Sequence, residues 1–554
     1  MDHKRAFQIL NMPPRTYVVT RGIPIGVVGL LFAVGAFFVA PAFLPGAVAP
    51  ILPLVVLAFF VGLAAMYPLA AADRKRAEID NALPFFMTHF GVLSTANMPR
   101  TEVFRILGEK KEYKALATEL RRIYSLVTDW NMALPEAARF VSRTTPSQIF
   151  GDFLERLAHA METGQSLEIF LRSEQSVVMK EYSTLYETAI YQIENWKDIY
   201  MSTVMSGAFF VIFAIITPVL TGNDPQTLML GTLGFVLFME VLLLLVLRMR
   251  LPVDQLWHSL DIATPERRMV RRSTFLMAAL VPVLFLILFM LTSLSLGIAL
   301  VASITPLAAS GYISRGIEEK IKRREENYGA FIRSLGASAA ARGGSLREVL
   351  KQVQNHNFGP LTELIRNLYA RLSWRLDETK SWKYFSAESG SHLIDSFTSM
   401  FVEGLNAGGK PDLIGDIISE NVVRIMNLRK SRYSTAGTFR GLLIGLTASM
   451  AFIMFLGVGI LGVLGDIFGV AASNIGESDL TPVSLDFGAD VGLISTFVFW
   501  LMLAHGLIAA ITLKMVDGGA WPAGLLLFVI MMWIVAALSF ASTAILPSVF
   551  NFGA

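Results

Sequence analysis

The chain has 554 residues, 54% of them hydrophobic and only 16% charged, with a mean hydropathy of +0.54 and a formal net charge of +3. That composition excludes an ordinary soluble protein, and so small a net charge gives no sign of nucleic-acid binding. Cysteine is absent, which excludes disulfides, thiol catalysis, iron–sulfur clusters and thiolate zinc sites.

Crossing a bilayer takes roughly 20 apolar residues at about 1.5 Å rise each. Runs of that length occupy 22–44, 50–71, 201–221, 226–247, 273–291, 294–312, 437–463, 489–514 and 522–546. The first follows about 20 mostly polar residues and is full length, so it reads as a span and not a signal peptide. Residues 273–312 form one apolar stretch, and only Thr292-Ser293 and Ser295 mark a hairpin within it. The connectors 41–50, 221–226, 291–294 and 464–489 and the tail 547–554 hold no Lys or Arg, so all 47 fall on the other side. Basic loops stay cytoplasmic. The charge pattern therefore predicts nine spans, with the N-terminus cytoplasmic and the C-terminus external.

The expected fold class is all-α: a polytopic membrane protein of about nine transmembrane helices with two duplicated cytoplasmic helical-bundle domains. In chain order this gives an N-terminal hairpin (1–71), a first cytoplasmic domain (72–200), a membrane pair (201–247) and a basic connector (248–272). A membrane hairpin (273–312) and a second cytoplasmic domain (313–436) follow. Three membrane helices (437–546) with an external loop (464–489), and an external tail (547–554), complete it.

Within the first domain, Leu83, Phe86, Phe90 and Leu93 fall on one helical stripe, as do Leu116, Leu120, Ile123, Tyr124 and Val127, and Ile149, Phe153, Leu157 and Ala160. Thr145-Pro146 is placed to open the third helix and Gly164 to end it. A shift of 245 residues superposes this block on the second. Phe86 meets Phe331, Tyr113 meets Phe358, Leu116 meets Leu361, and Leu120-Arg-Arg-Ile-Tyr124 meets Ile365-Arg-Asn-Leu-Tyr369. The same shift pairs Phe140 with Phe385, Ile149 with Ile394, Leu157 with Val402, Gly164 with Gly409 and Ile169 with Ile414. A one-residue slip brings Glu102-Val-Phe-Arg105 onto Glu348-Val-Leu-Lys351. A shift held over so long a stretch reads as duplication.

Two helical domains each followed by membrane helices, with Leu83-Pro84-Phe85 opening the first bundle and Gly164 and Gly409 near later helix ends, resemble a known family. It is that of the integral membrane platform proteins of type IV pilus-like machines, which bear the type II secretion F domain. The extra hairpins 22–71 and 273–312 resemble its archaeal branch, which includes the archaellum platforms. The resemblance implies a non-enzymatic assembly platform in the cell membrane, working with a secretion-type hexameric ATPase and archaellin or pilin-like subunits, as a homodimer.

Other motifs point away from chemistry. Gly404-Leu-Asn-Ala-Gly-Gly409-Lys410-Pro411 approaches a phosphate loop, but Pro411 stands where magnesium needs a hydroxyl. It reads as a helix stop followed by a helix start. Gly457-Val-Gly459-Ile-Leu-Gly462 matches a dinucleotide pattern but lies within a span, so these glycines, with Gly441 and Gly445, are expected to pack helices closely. The seven histidines show no metal-ligand spacing and are expected mostly at surfaces or interfaces. No catalytic, cofactor or metal residues are expected. Glu240 and His505 are ionisable groups inside spans, and Glu240 reads as a local hydrogen-bonding group ahead of a proton relay.

Basic clusters at the domain–membrane junctions serve topology, anionic lipid headgroups or partner docking. They are Arg74-Lys75-Arg76, Arg267, Arg268, Arg271 and Arg272, then Lys320 with Lys322, Arg323 and Arg324, and Arg429-Lys430 with Arg432. For partner docking the candidates are Lys110, Lys111, Lys114, Arg267, Arg268, Arg271, Arg272, Lys322, Arg323 and Arg324. A secondary transporter with duplicated halves and a membrane signalling scaffold are the alternative functions. The first is disfavoured because the clearest repeat is cytoplasmic and intramembrane charge is sparse.

Overall fold

A computed structural model describes residues 3–10, 12–43, 50–96, 98–221, 225–251, 254–291, 295–342, 346–474 and 491–544. Two compact units are formed, one from Met1–Glu187 with Arg323–Leu428, the other from Thr188–Lys322 with Arg429–Ala554. The helices are α1 (His3–Leu10), α2 (Pro14–Tyr17), α3 (Ile23–Phe43), α4 (Ile51–Ser94), α5 (Arg100–Glu109), α6 (Ala115–Thr128), α7 (Leu134–Thr144), α8 (Gln148–Glu162) and α9 (Leu167–Thr221). They continue with α10 (Pro225–Arg250), α11 (Pro265–Leu291), α12 (Leu296–Ile304), α13 (Leu307–Arg342), α14 (Leu346–Val353) and α15 (Leu361–Ser373). The last are α16 (Glu378–Ser389), α17 (His392–Asn406), α18 (Pro411–Asn474), α19 (Val491–Asp517) and α20 (Leu525–Ala544). No strand occurs among the described residues.

Eight helices among those residues are long and apolar enough to cross a membrane. Helix α3, 21 residues without a charge, has the length of a ninth. The apolar stretch 273–312 belongs to two candidate spans: α11 packs against α12, and α13 follows α12 across the turn at Thr305-Pro306. The tail 547–554 and the loop 464–489 beyond Asn474, both expected to be external, lie outside the described residues.

The expected boundaries at 72, 200, 313 and 436 fall inside single helices. Apolar and amphipathic segments are joined without interruption, even across Pro68 in α4, so α4, α9, α13 and α18 run on for 44, 55, 36 and 64 residues. Leu83-Pro84-Phe85 accordingly does not open a bundle; it lies within α4. Pro84 removes one intrahelical donor, yet the stripe of Leu83, Phe86, Phe90 and Leu93 is fully buried on both sides of it.

The first unit contains two cores of matching construction. One gathers Phe86, Phe90, Phe104, Leu120, Phe150, Phe153 and Leu157; the other gathers Phe331, Leu335, Leu350, Ile365, Leu368, Phe385, Phe397 and Phe401. The repeat does not keep one offset. It is 245 residues through α6 and α15, then 244. Helices α8 and α17 each have 15 residues and begin 244 apart. Ser147 caps α8 by accepting from Phe150 N at 3.1 Å, and Ser391 caps α17 by accepting from Ile394 N at 3.1 Å. Each serine also donates at 2.5 Å to a carboxylate on the preceding long helix, Asp80 or Glu325. The left-handed residues that end α8 and α17 are Gly164 (φ 74°) and Gly408 (φ 83°).

The lost residue lies in the connector before α7 and α16, where left-handed Asn131 (φ 50°) and Arg375 (φ 55°) already correspond at 244. Phe140 and Phe385 are therefore not equivalent, and Phe140 is 44% exposed beneath Arg122. In the later helices the matched residues are Phe153 with Phe397, Leu157 with Phe401 and Gly164 with Gly408, not Leu157 with Val402 or Gly164 with Gly409. Pro146 precedes α8 and does not start it, because Ser147 takes the cap.

Candidate functional site

In the second unit Lys322, Arg429, Arg432 and Lys514 turn inward at the Lys514 end of its helices. Lys514 Nζ lies 3.1 Å from Glu318 Oε2 and 3.3 Å from Asp517 Oδ2, and both Lys514 and Glu318 are buried. Glu318 Oε1 also accepts from Ala520 N at 2.5 Å. Lys322 reaches Asp517 Oδ1 at 3.4 Å and stands 3.6 Å from the Tyr433 ring centroid. Arg432 donates to Val516 O at 2.7 Å and Met515 O at 3.1 Å, supplying cation and donors to the carbonyl end of α19. Arg429 meets Asp254 at 2.5 Å, which ties the connector between α10 and α11 to α18. Gly518 and Gly519 turn this corner with φ of 80° and 82°, and a Cβ on Gly519 would strike the Glu318 carboxylate. The result is a collar of buried ion pairs, each charge desolvated but matched.

Two helical turns further in, the intramembrane ionisable groups pair. Glu240 Oε1 on α10 lies 2.6 Å from His505 Nδ1 on α19, and His505 Nε2 lies 3.3 Å from Thr447 Oγ1 on α18. Sequence reasoning marked Glu240 as a hydrogen-bonding group; His505 as its partner is a new finding. The signal was the scarcity of charge, which leaves each group few alternatives.

In the first unit, Lys110 forms an ion pair with Glu403 of α17. His89 Nε2 lies 2.9 Å from the other Glu403 oxygen, and His89 Nδ1 is 2.9 Å from the Tyr113 hydroxyl. Burial works to raise the Glu403 carboxyl, but the His89 contact and the Lys110 ammonium outweigh it and hold it at about 2. One turn into the same helix, burial and then the Glu112 carboxylate push Asp395 up to about 6. Arg324 is buried and donates to Glu388 O and Ser389 O, both at 3.1 Å.

Of the ten docking candidates, Lys110, Lys322 and Arg324 are thus engaged within the chain. Lys111, Lys114, Arg267, Arg268, Arg271, Arg272 and Arg323 remain exposed. Arg267 and Arg268 also brace the connector through Leu260 O (3.3 Å) and Ala263 O (2.9 Å). The glycines expected to pack helices do not do so within the chain at Gly441, Gly445 or Gly457, where an added Cβ meets nothing within 4 Å. Gly459 and Gly462 also lie inside α18, on half-buried positions. Close approach occurs instead at Gly311, where a Cβ would meet the Leu526 backbone, and at Gly336, facing Gly415. The stripe that carries Gly441 and Gly445 points away from the neighbouring helices, which sequence spacing alone does not reveal.

Three of the seven histidines, His89, His258 and His505, are buried and not at the surface. The phosphate-loop look-alike is a left-handed stop at Gly408 followed by Pro411 opening α18. Among the described residues, no three His, Asp or Glu side chains converge as metal ligands.

The type II secretion system protein F family matches residues 86–215. Flagella accessory protein J of Methanocaldococcus jannaschii is 33% identical over 513 residues, covering 90% of each chain. Flagella accessory protein J of Methanococcus voltae is 34% identical over 493 residues, covering 87% of each. No solved structure matches the chain. Identity of this level, sustained through both helical repeats and the membrane helices, is a property of the whole architecture and not of one shared domain. The chain belongs to the family of the Flagella accessory J proteins.

Proposed function

We propose that this protein is a non-enzymatic platform in the cell membrane for assembly of an archaellum or related type IV pilus-like filament. The observation that carries the reading is likeness to Flagella accessory J proteins over nine-tenths of the chain. In this reading the N-terminus is cytoplasmic, the C-terminus external, and both helical repeats face the cytoplasm, in line with the distribution of Lys and Arg. Chemical energy comes from a partner, a secretion-type hexameric ATPase, since the one phosphate-loop look-alike is a helix stop and start. Archaellin or pilin-like subunits are the cargo, the platform works as a homodimer in contact with membrane lipid, and the exposed arginines at the base of α11 belong to the docking surface for the ATPase. Subunit extraction and filament growth or rotation follow from movement of the platform.

The experiment is purification of the full chain from its own cells with neighbours retained, followed by charge variants. Co-purification of an ATPase and filament subunits is expected. Neutralising Arg267, Arg268, Arg271 and Arg272 together, or Lys111 and Lys114 together, should abolish filaments while leaving membrane insertion intact. Loss of one charged interface contact can reach several kcal/mol, against about 0.5 kcal/mol for an exposed charge in folding. Normal filaments from both variants would remove these charges from the docking surface.

A further inference from the structure

Charge is scarce where the membrane helices pack. From Tyr200 through α9, from Pro225 to Leu247 of α10, from Gly441 to Gly465 of α18, from Val491 to Leu513 of α19, and throughout α12 and α20, the ionisable side chains are Tyr200, Glu240 and His505. Glu240 and His505, 265 residues apart in sequence, meet at 2.6 Å with side-chain exposures of 1% and 0%.

The hydrogen-bond pattern fixes where a proton can move. The Thr447 hydroxyl lies 2.8 Å from Leu443 O and 3.4 Å from Met531 Sδ, and the carbonyl is the shorter and stronger acceptor. A hydroxyl has a single hydrogen. Given to Leu443, it leaves the Thr447 oxygen free to accept from His505 Nε2, so Nε2 carries a hydrogen. Nδ1 then shares its proton with Glu240 Oε1.

The pair has three charge states: −1 without the shared proton, zero with one, and +1 with two. A net charge in hydrocarbon costs roughly 2.5–3.5 kcal/mol or more, and no other charged side chain stands at this depth. The state with one proton is therefore favoured from both sides. The other Glu240 oxygen and the Tyr200 hydroxyl are buried without a hydrogen-bond partner among the described residues, and Tyr200 lies within electrostatic reach of Glu240. Tyr200 also lines a crevice with Trp196, Lys197, Leu247, Thr512 and Val516, toward the Lys514 end of the helices.

We propose that Glu240 and His505 form an intramembrane proton-binding site that is loaded from the Lys514 end through the crevice under Tyr200. Loading transfers one proton from water at the crevice to the carboxylate–imidazole pair, taking it from −1 to zero. Unloading returns the proton by the same route. The titratable and charged groups of the elements flanking that route are Glu194, Lys197 and Asp198 on α9, Arg248 on α10, Glu318 on α13, Arg440 on α18, and Lys514 and Asp517 on α19; α12 and α20 bring none. Lys514 at the mouth is matched by Glu318 and Asp517, and it is burial of the pair that makes loading slow compared with an exposed carboxyl.

The test is difference infrared spectroscopy of the full chain in lipid nanodiscs, with the Glu240 bands assigned by their loss in Glu240→Gln. In the wild type these bands should carry the signature of a carboxyl group hydrogen-bonded to the imidazole. In His505→Gln, which removes the imidazole partner, the Glu240 bands should shift. Tyr200→Phe, which preserves packing, should slow hydrogen–deuterium exchange at the site several-fold. A Glu240 band that is the same with and without His505 would overturn the site. Exchange unaffected by Tyr200→Phe would overturn the route.

Discussion

On α17 two carboxylates eight residues apart respond to pH in opposite senses. Glu403 is held at about 2, below its ordinary 4.5. Its stabilising contribution is therefore complete above pH 4.5 and disappears as pH falls toward 2. Asp395 is raised to about 6 from 3.8. The stability linked to its proton is complete below 3.8 and is lost as pH rises through 6. At neutral pH, Glu403→Gln should destabilise the first unit and Asp395→Asn should stabilise it, each by about 1–2 kcal/mol after discounting for partial exposure. Thermal unfolding in detergent at pH 7.5 and 5 checks both, and the benefit of Asp395→Asn should shrink at the lower pH. Sequence reasoning could not place either shift, because both arise from contacts that cross the repeat. Glu403 meets Lys110 from 293 residues away, a distance no local pattern encodes.

At the scale of elements, the two serine caps make a natural comparison. Ser147 and Ser391 have the same two bonds, but Asp80 retains 13% exposure whereas Glu325 is fully buried. Removing either cap should cost about 1 kcal/mol. Loss of the serine's bond to a buried carboxylate adds a further penalty of about 1–3 kcal/mol. Ser391→Ala should therefore lower the melting temperature more than Ser147→Ala, and equal effects would show that the carboxylate bonds contribute little. Helix positions and the buried stripes were readable from periodicity, since Leu83, Phe86, Phe90 and Leu93 must face one core. The change of offset from 245 to 244 was not, because apolar residues are frequent enough in α8 and α17 to match in either register. Only caps and left-handed residues, which tolerate no slip, settle it. The duplication itself was legible, as were the spans. Where one segment became the next was obscured because α4, α9, α13 and α18 run through their junctions uninterrupted, α4 even across Pro68.

For the whole molecule, the lack of native cysteine makes topology directly measurable. A cysteine replacing Ser473, in the last turn of α18, is expected to react with an impermeant maleimide in intact cells. One replacing the exposed Lys111 should react only after permeabilisation; the reverse pattern would invert the orientation. Purified protein should bind no ATP above background, and Lys410→Ala should leave that background unchanged, because Lys410 lies between a left-handed glycine stop and the Pro411 start of α18. Stoichiometric binding abolished by that change would contradict the platform reading.

The corner between α19 and α20 has a consequence for digestion. Trypsin must draw several residues around a basic side chain into an extended strand. Lys514 and Arg432 are only 6% and 3% exposed, and the backbone between Met515 and Ala520 is held by Arg432 and Glu318. In the native protein, cleavage should begin at exposed sites such as Lys111 and Arg267 and leave the α19–α20 pair uncut. Gly519→Ala, which forces Glu318 away from its partners, should turn this sheltered corner into an early nick, visible as a new C-terminal fragment on a gel.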